Sequence, residues 1–578
     1  MRYFALVALL VACGPSGKGH LPDAGEATLL VMPADQMVTI VDGAPVVQGY
    51  TATRVDPDGT MTDVTAETMF SLSDQGFGVF TGPSLSVTGT GAGPTRVQGF
   101  DNGVTGDTGL TIFVKGSRLD PGVPTDAATL FGTATEDPTR APTVAYPLPD
   151  ILVPPNLGQF DVHWTDTMNN LFQIEMSNQY VDLKIYSLGI PDTSNPQPFW
   201  TVFQPDEWYP IASTKQQLSL QVAGLDINNP ATKGTAASQH VDVTNENAQG
   251  GIYYWSTSGL AGIWRYDVGN PAVPPAPYFA DAERPASCMG CHSLSRDGTK
   301  IAMTFDGGGG RGTVFDVGTK TALIPFDGST QPALTWDFAA FNANATKLVT
   351  VEASHMFLRD TSGALLAGPI QEGNVGFMST HPEVSPDDSQ LAYVEFNGGY
   401  DAQAYNGSVM VRSFDDTNNA FGVPTVLVAA DASNQIANWY PSYSPDGQWL
   451  AFTRTTGNSY NDPSAEVWVV KVDGTLPPVM LATADLSGTL TNSWARWVPF
   501  AQTFGPNSEP LFYLTFSTQR PFGVRIPGGG RPQIWMTPFF PDRAMAGTDP
   551  SGPTFRVPFQ DVTTANHIAQ WTQAVIVQ

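Results

Sequence analysis

Two cysteines and a histidine share one five-residue run, Cys288-Met289-Gly290-Cys291-His292. Thiols three residues apart, followed at once by an imidazole, form the donor set that covalent haem attachment requires. Each sulfur meets one vinyl group, and the adjacent ring can turn beneath the iron. The same pair can instead close a disulfide or supply half of a zinc site. Zinc needs two more ligands, and the chain has no second Cys-x-x-Cys and no His-x(3–5)-His. A redox dithiol of the thioredoxin kind opens a helix, whereas the residues after His292 read as strand. The expectation is one covalent haem c on Cys288, Cys291 and His292, with a plain disulfide as the alternative.

An iron held by His292 has a sixth position, and the other six histidines of the chain compete for it. His20, His163 and His240 fall outside the region that holds the cysteine run, and His355 in "EASHMFLRD" reads as part of an outer strand. His567 and His381 both stand at the start of strands of the kind that carries the run, so they are the candidate metal ligands, His567 first. Each can equally be a hydrogen-bonding residue at a strand end. Met289 and Met378 are further options, and methionine would raise the potential relative to histidine.

Repeated elements position these residues. Segments beginning "CHSLSRDGTKIAMTF", "AAFNANATKLVTVE", "HPEVSPDDSQLAYVEF" and "YPSYSPDGQWLAFTR" each give a strand, a turn often written Ser-x-Asp-Gly, and an apolar strand; "WARWVPF" is a degenerate fifth. The markers Ser295, Asn342, Ser385, Ser444 and Val498 recur at intervals of roughly 40–60 residues, the period of β-propeller blades. Aligning them puts Cys291 in register with His381, Tyr440 and Trp494. "EVSPDD" and "SYSPDGQWLAF" resemble the TolB-type, WD-like propeller repeat, and the likeness spans roughly 251–578. The terminal "NHIAQWTQAVIVQ" opens a blade that nothing after it completes, and "GGIYYWSTSGLAGIWRYDV" supplies strands that lack an inner partner. Joining them closes a ring of six blades without an exposed edge, with seven as the alternative.

Ahead of the propeller, residues 27–116 alternate apolar and polar positions with turns at Asp56–Thr60 and Gly89–Thr95. This predicts a small β-sandwich. The order of its strands resembles the bacterial Ig-like group 2 domain, a family that implies a spacer or adhesive unit. Residues 117–149, rich in Pro and Thr, read as a linker. Residues 150–250 suggest a second β-sandwich, loosely similar to fibronectin type III units, with extra propeller blades as the other reading. The fold class expected is all-β.

The first residues, "MRYFALVALLVACG", place Arg2 before an apolar run too short for a membrane span. "LVAC" resembles the bacterial lipobox, which implies a signal peptide over 1–12, lipidation of Cys13 and a linker over 13–26; an unlipidated secretory signal is the alternative. Gly14 in place of aspartate implies, by that resemblance, the outer membrane. With Cys13 so used, Cys288 and Cys291 are the only thiols left, so no disulfide framework supports this exported chain.

The 578 residues carry 27 Lys+Arg against 54 Asp+Glu, a formal charge of −27. Such a surface repels a phosphate backbone, so nucleic acid is not an expected partner. No Gly-x-Ser-x-Gly elbow, His-Glu-x-x-His helix or phosphate-binding loop occurs, and no carboxylate pair can be assigned as acid and base. The expected protein is lipid-anchored at the cell envelope, carries one haem, and passes electrons to a redox partner protein or senses redox state. A haem-free, TolB-like scaffold for envelope proteins or peptides and a haem-dependent redox enzyme are the alternatives.

Overall fold

The computed structural model describes residues 26–189, 197–280, 283, 289–307, 309–325, 334–459, 461–486 and 490–576. Cys13 and Cys288 lie outside these residues, as does the segment read as a signal peptide. Among the described residues no helix is long and apolar enough to cross a membrane. The chain is all-β and divides into two compact units, one ending at Phe113 and one beginning at Val114.

In the first unit Thr28–Met32 pairs antiparallel with Thr51–Val55, Val46–Gly49 with Ser84–Val87, and Gly93–Asp101 with the strand that begins at Val104. Buried and exposed residues alternate strictly along Gly93–Asp101, as one-sided burial of a period-two strand requires. Val97, Leu110 and Ile112 face inward with Val38 and Ile40.

The second unit begins with two sheets. Leu171–Ser177 lies between Val181–Leu188 and Leu218–Leu225, antiparallel to both, while Phe160–Asp166 lies between Thr143–Tyr146 and Gln197–Phe203. The supposed linker 117–149 is therefore corrected: it belongs to the folded body. Helix Ala127–Thr133 buries Phe131, Thr135–Glu136 runs parallel to Thr232–Thr235, and Tyr146 is buried. Its prolines sit where helices and turns start, as at Pro138 in the first turn of a 3-10 helix, so their abundance marks element ends here and not flexibility. These sheets share one compact unit with the propeller. Tyr513 Oη donates to the Leu152 carbonyl at 3.0 Å, and Arg525 pairs with buried Asp161 at 2.7 Å.

From Gly251 onward the described residues build a two-stranded hairpin, Gly399–Tyr400 with Gln403–Ala404, and six larger sheets, each led by one inner strand: β1 (Met289–Leu294), β2 (Ala339–Phe341), β3 (Met378–Val384), β4 (Ala437–Tyr443), β5 (Ser493–Trp497) and β6 (Asn566–Thr572). β1 packs against β2, and so on in order to β6, which packs against β1. The cycle thus closes on itself, in a propeller-like arrangement. β6 pairs antiparallel with Gly251–Ser256, placing Ile252 opposite Trp571 and Trp255 opposite His567, so the two ends of this region share a sheet.

The Ser-x-Asp-Gly turns explain why the repeat is visible in sequence. Ser295 Oγ accepts from the Lys300 amide at 2.9 Å, Ser385 Oγ from Gln390 at 2.9 Å and Ser444 Oγ from Trp449 at 3.0 Å; Asn342 Oδ1 serves Lys347 in the same way at 2.8 Å. The fourth turn residue is left-handed in each: Gly298, Ala345, Asp388 and Gly447 have φ of 76, 56, 57 and 70°. Glycine costs least there. Ser444→Ala strands a buried amide at Trp449, and the expected loss is about 1–2 kcal/mol in urea unfolding.

Candidate functional site

The inner strands carry the same irregularity. Register shifts fall between Thr380 and Glu383, Trp439 and Ser442, and Ser493 and Arg496, with equivalents in β1 and opposite β6. Each is a bulge that turns one side chain out of the pleat, here toward the ring axis. His381, Tyr440, Trp494 and Ile568 at these bulges have φ of 50, 53, 60 and 52°. Left-handed backbone at such bulky residues costs of order 1–2 kcal/mol each and persists only where surrounding packing enforces it.

These side chains meet around one cavity, joined by Cys291 from β1 and by Phe338, which immediately precedes β2. One residue from each sheet therefore forms a ring of six across the axis. The aromatic members are in direct contact: ring centroids lie 4.5 Å apart for Phe338–His381, 4.1 Å for His381–Tyr440 and 3.7 Å for Tyr440–Trp494. The register expected for Cys291, His381, Tyr440 and Trp494 is the one found. The cavity left among them is small, 30 Å³.

His292 lines this cavity too and is 4% exposed; neither ring nitrogen makes a well-formed hydrogen bond, although the backbones of Tyr253 and Ile568 come near it. Burial holds its pKa down to about 4, so the ring is neutral at pH 7 and keeps a lone pair. His381 is equally buried and unpartnered; burial, and secondarily the charge of Arg496, push its pKa well below the usual range. His567 lies apart from the cavity lining. Its ring sits 6.2 Å from that of Trp255, and burial lowers its pKa to about 4. The structure thus gathers Cys291, His292 and His381 and leaves His567 to one side. Met289 belongs to a core cluster with Tyr253, Ile263 and Ile301, away from the axis, whereas Met378 packs against the aromatic ring. His355 is tied to Glu372 at 2.9 Å.

Asp337 borders the cavity and contacts Asp401; both are buried, at 3% and 5% exposure. Asp337 accepts from the Gly309 amide, while Asp401 accepts from the amides of Ser354 and Ala402 at 3.2 Å. Burial first, and then its carboxylate neighbour, raise Asp337 to about 7. The folded chain therefore holds a proton that the unfolded chain releases above about pH 4, and stability falls as pH rises from there to about 7. Asp337→Asn mimics the protonated form. It should abolish that slope and stabilise the protein by about 1–3 kcal/mol at pH 8 relative to pH 5, read by urea unfolding at both pH values.

Next along the axis comes a layer that is polar except at Ala340, made of Ser293, Ala340, Glu383, Ser442, Arg496 and Gln570, again one residue from each inner strand. A second cavity of 220 Å³ opens from it toward the Ser-x-Asp-Gly turns, with Arg296 at its rim. Sequence reasoning missed Glu383, Arg496 and Arg296. The available signal was a charged residue two places after the ring position in "HPEV" and "WARW", inside strands otherwise buried.

No family model matches the sequence, and no curated relative matches it. Solved structures similar in shape include a nidogen/laminin complex, with 8% identity and a TM-score of 0.34, and a candidate 6-phosphogluconolactonase from Bacteroides fragilis NCTC 9343, with 13% identity and a TM-score of 0.29. Each is matched over 56% of this chain and 98% of its own. These likenesses carry no argument about chemistry, which rests on the residues themselves.

The donor set passes one test for haem and meets a constraint in another. A neutral imidazole beside the second thiol of Cys-x-x-Cys-His fits an iron ligand, because a buried ring nitrogen without a well-formed hydrogen bond is otherwise costly. The aromatic ring fills the axis, and 30 Å³ holds one or two waters but no macrocycle. Among the described residues no three His, Cys, Asp or Glu side chains converge as a metal site.

Proposed function

We propose that this is an exported, lipid-anchored propeller protein that carries one c-type haem for electron transfer or redox sensing at the cell envelope. Cys288 and Cys291 would hold the group through thioether bonds, His292 would be a ligand to its iron, and Cys13 would be the acylated residue. His567 and His381 remain the candidates for the sixth position; only His381 lines the cavity with His292, and that cavity as it stands is too small for a macrocycle between them. When bound, the haem supplies a one-electron couple whose potential follows its ligands and burial. The chain itself supplies a neutral His292, aromatic walls and a closed ring of sheets that fixes both. The observation carrying the proposal is His292, buried beside Cys291 with neither ring nitrogen in a well-formed hydrogen bond.

The test is expression in a host with c-haem maturation machinery. The purified protein should show a Soret band that survives acid–acetone extraction. Absent carbon monoxide binding in the ferrous state would indicate a six-coordinate carrier, and rapid binding an open site suited to a redox enzyme. A fully matured but colourless product would refute the haem reading. The small axial cavity favours, as the second reading, a haem-free scaffold that takes its partner from the polar side of the ring.

A further inference from the structure

We propose that the polar end of the propeller axis is a binding site for a small carboxylate-bearing molecule. The cavity there measures 220 Å³ and brings together Arg296, Glu383, Tyr443, Arg496, Gln570 and Gln573. Two guanidinium groups in one enclosed space are unusual in a chain with twice as many acidic as basic residues. Among the described residues neither forms a close ion pair, and Glu383, the only acidic residue lining the cavity, acts on both arginines at longer range.

Their hydrogen bonds are also incomplete. Arg296 donates from Nη2 to the Val384 carbonyl at 3.2 Å, and Arg496 donates from Nη1 to the Ala495 carbonyl at 3.0 Å and from Nε to Gln570 at 3.4 Å. A guanidinium has five N–H donors in a planar fork, so each retains several for a ligand, and the fork matches a carboxylate. The enclosure weakens solvent screening and strengthens any charge-assisted bond formed inside.

Glu383 sets the selectivity. Its carboxylate offsets one of the two positive charges, leaving room for a single anionic group and opposing a multiply charged phosphate. Gln570 and Gln573 can donate to the same oxygens, and Tyr443 closes one wall. Pro386, Pro445 and Pro499 line the mouth, where their fixed backbones hold it open at little entropic cost. Ser293, Glu383, Arg496 and Gln570 line both this cavity and the smaller one behind it and so separate the site from the aromatic ring, and the site needs no haem.

The test uses the mature full-length protein and isothermal titration with acetate, propionate and inorganic phosphate. Acetate or propionate should bind at one site per chain, more tightly than phosphate. Arg496→Gln and, separately, Arg296→Gln at the rim should each weaken binding at least tenfold, while Glu383→Gln tightens it. Near-UV circular dichroism establishes that each variant is folded, and Arg296→Gln serves if Arg496→Gln is not. No heat with any probe at millimolar concentration, stronger binding of phosphate, or affinities unmoved by the arginine variants would each overturn the site.

Discussion

Cys288→Ala combined with Cys291→Ala should yield a folded, colourless protein from a host that fully loads the natural chain. Thioether bonds are the only covalent link proposed, so loss of both removes the tether completely. Loading should fall from one haem per chain to none, read as the Soret-to-280 nm ratio after denaturing extraction. Folding should survive, because Cys291 is only half-buried and its replacement removes a single sulfur from the ring around the axis. The expected stability cost is about 1–2 kcal/mol, near the low end for a large-to-small change at a packed site. Equal colour in the variant would place any haem in a non-covalent pocket elsewhere and remove Cys291 and His292 from the account.

Deleting residues 566–578 should abolish cooperative unfolding. β6 is the inner strand of the sheet that Gly251–Ser256 begins, and its loss leaves that strand with a long open edge in the middle of the ring. Buried Ile568, Ala569 and Trp571 go with it, as does the bond from Trp571 Nε1 to Thr515 Oγ1 at 2.9 Å. So do the links from the Gln573 amide to the Arg296 carbonyl and from Arg265 to the Ile576 carbonyl, both at 2.6 Å. At about 1.5–3 kcal/mol per large apolar side chain, the loss is roughly 5 kcal/mol or more, comparable to the whole stability of an ordinary domain. The truncated chain should bind a hydrophobic dye and aggregate. A urea transition at the natural midpoint would contradict ring closure.

What the sequence disclosed follows from local physics. The Ser-x-Asp-Gly turns are legible because one hydroxyl and one left-handed residue solve the same backbone problem in each blade, at Ser295, Ser385 and Ser444. Once these markers are aligned, the ring of Cys291, His381, Tyr440 and Trp494 follows from counting back along extended strands. The polar layer escaped notice because Glu383 and Arg496 come from different sheets, and their convergence depends on the ring closing. Residues 117–149 were misjudged for a related reason. Val123, Ala127 and Phe131 recur every four residues as on one helix face, but the run is short and interrupted by Pro124, and Tyr146 stands alone until its partner strand is known. His567 looked equivalent to His381 from its position at a strand start, but the bulge of β6 falls at Ile568, and His567 turns toward Trp255 instead.

Peptide mass spectrometry of the mature protein, after digestion under conditions that preserve thioethers, tests the central claim most directly. The fragment containing Cys288 to His292 should carry the added mass of one haem on its two sulfurs. Two unmodified thiols, or a disulfide between them in a host that matures other c-type cytochromes, would contradict it.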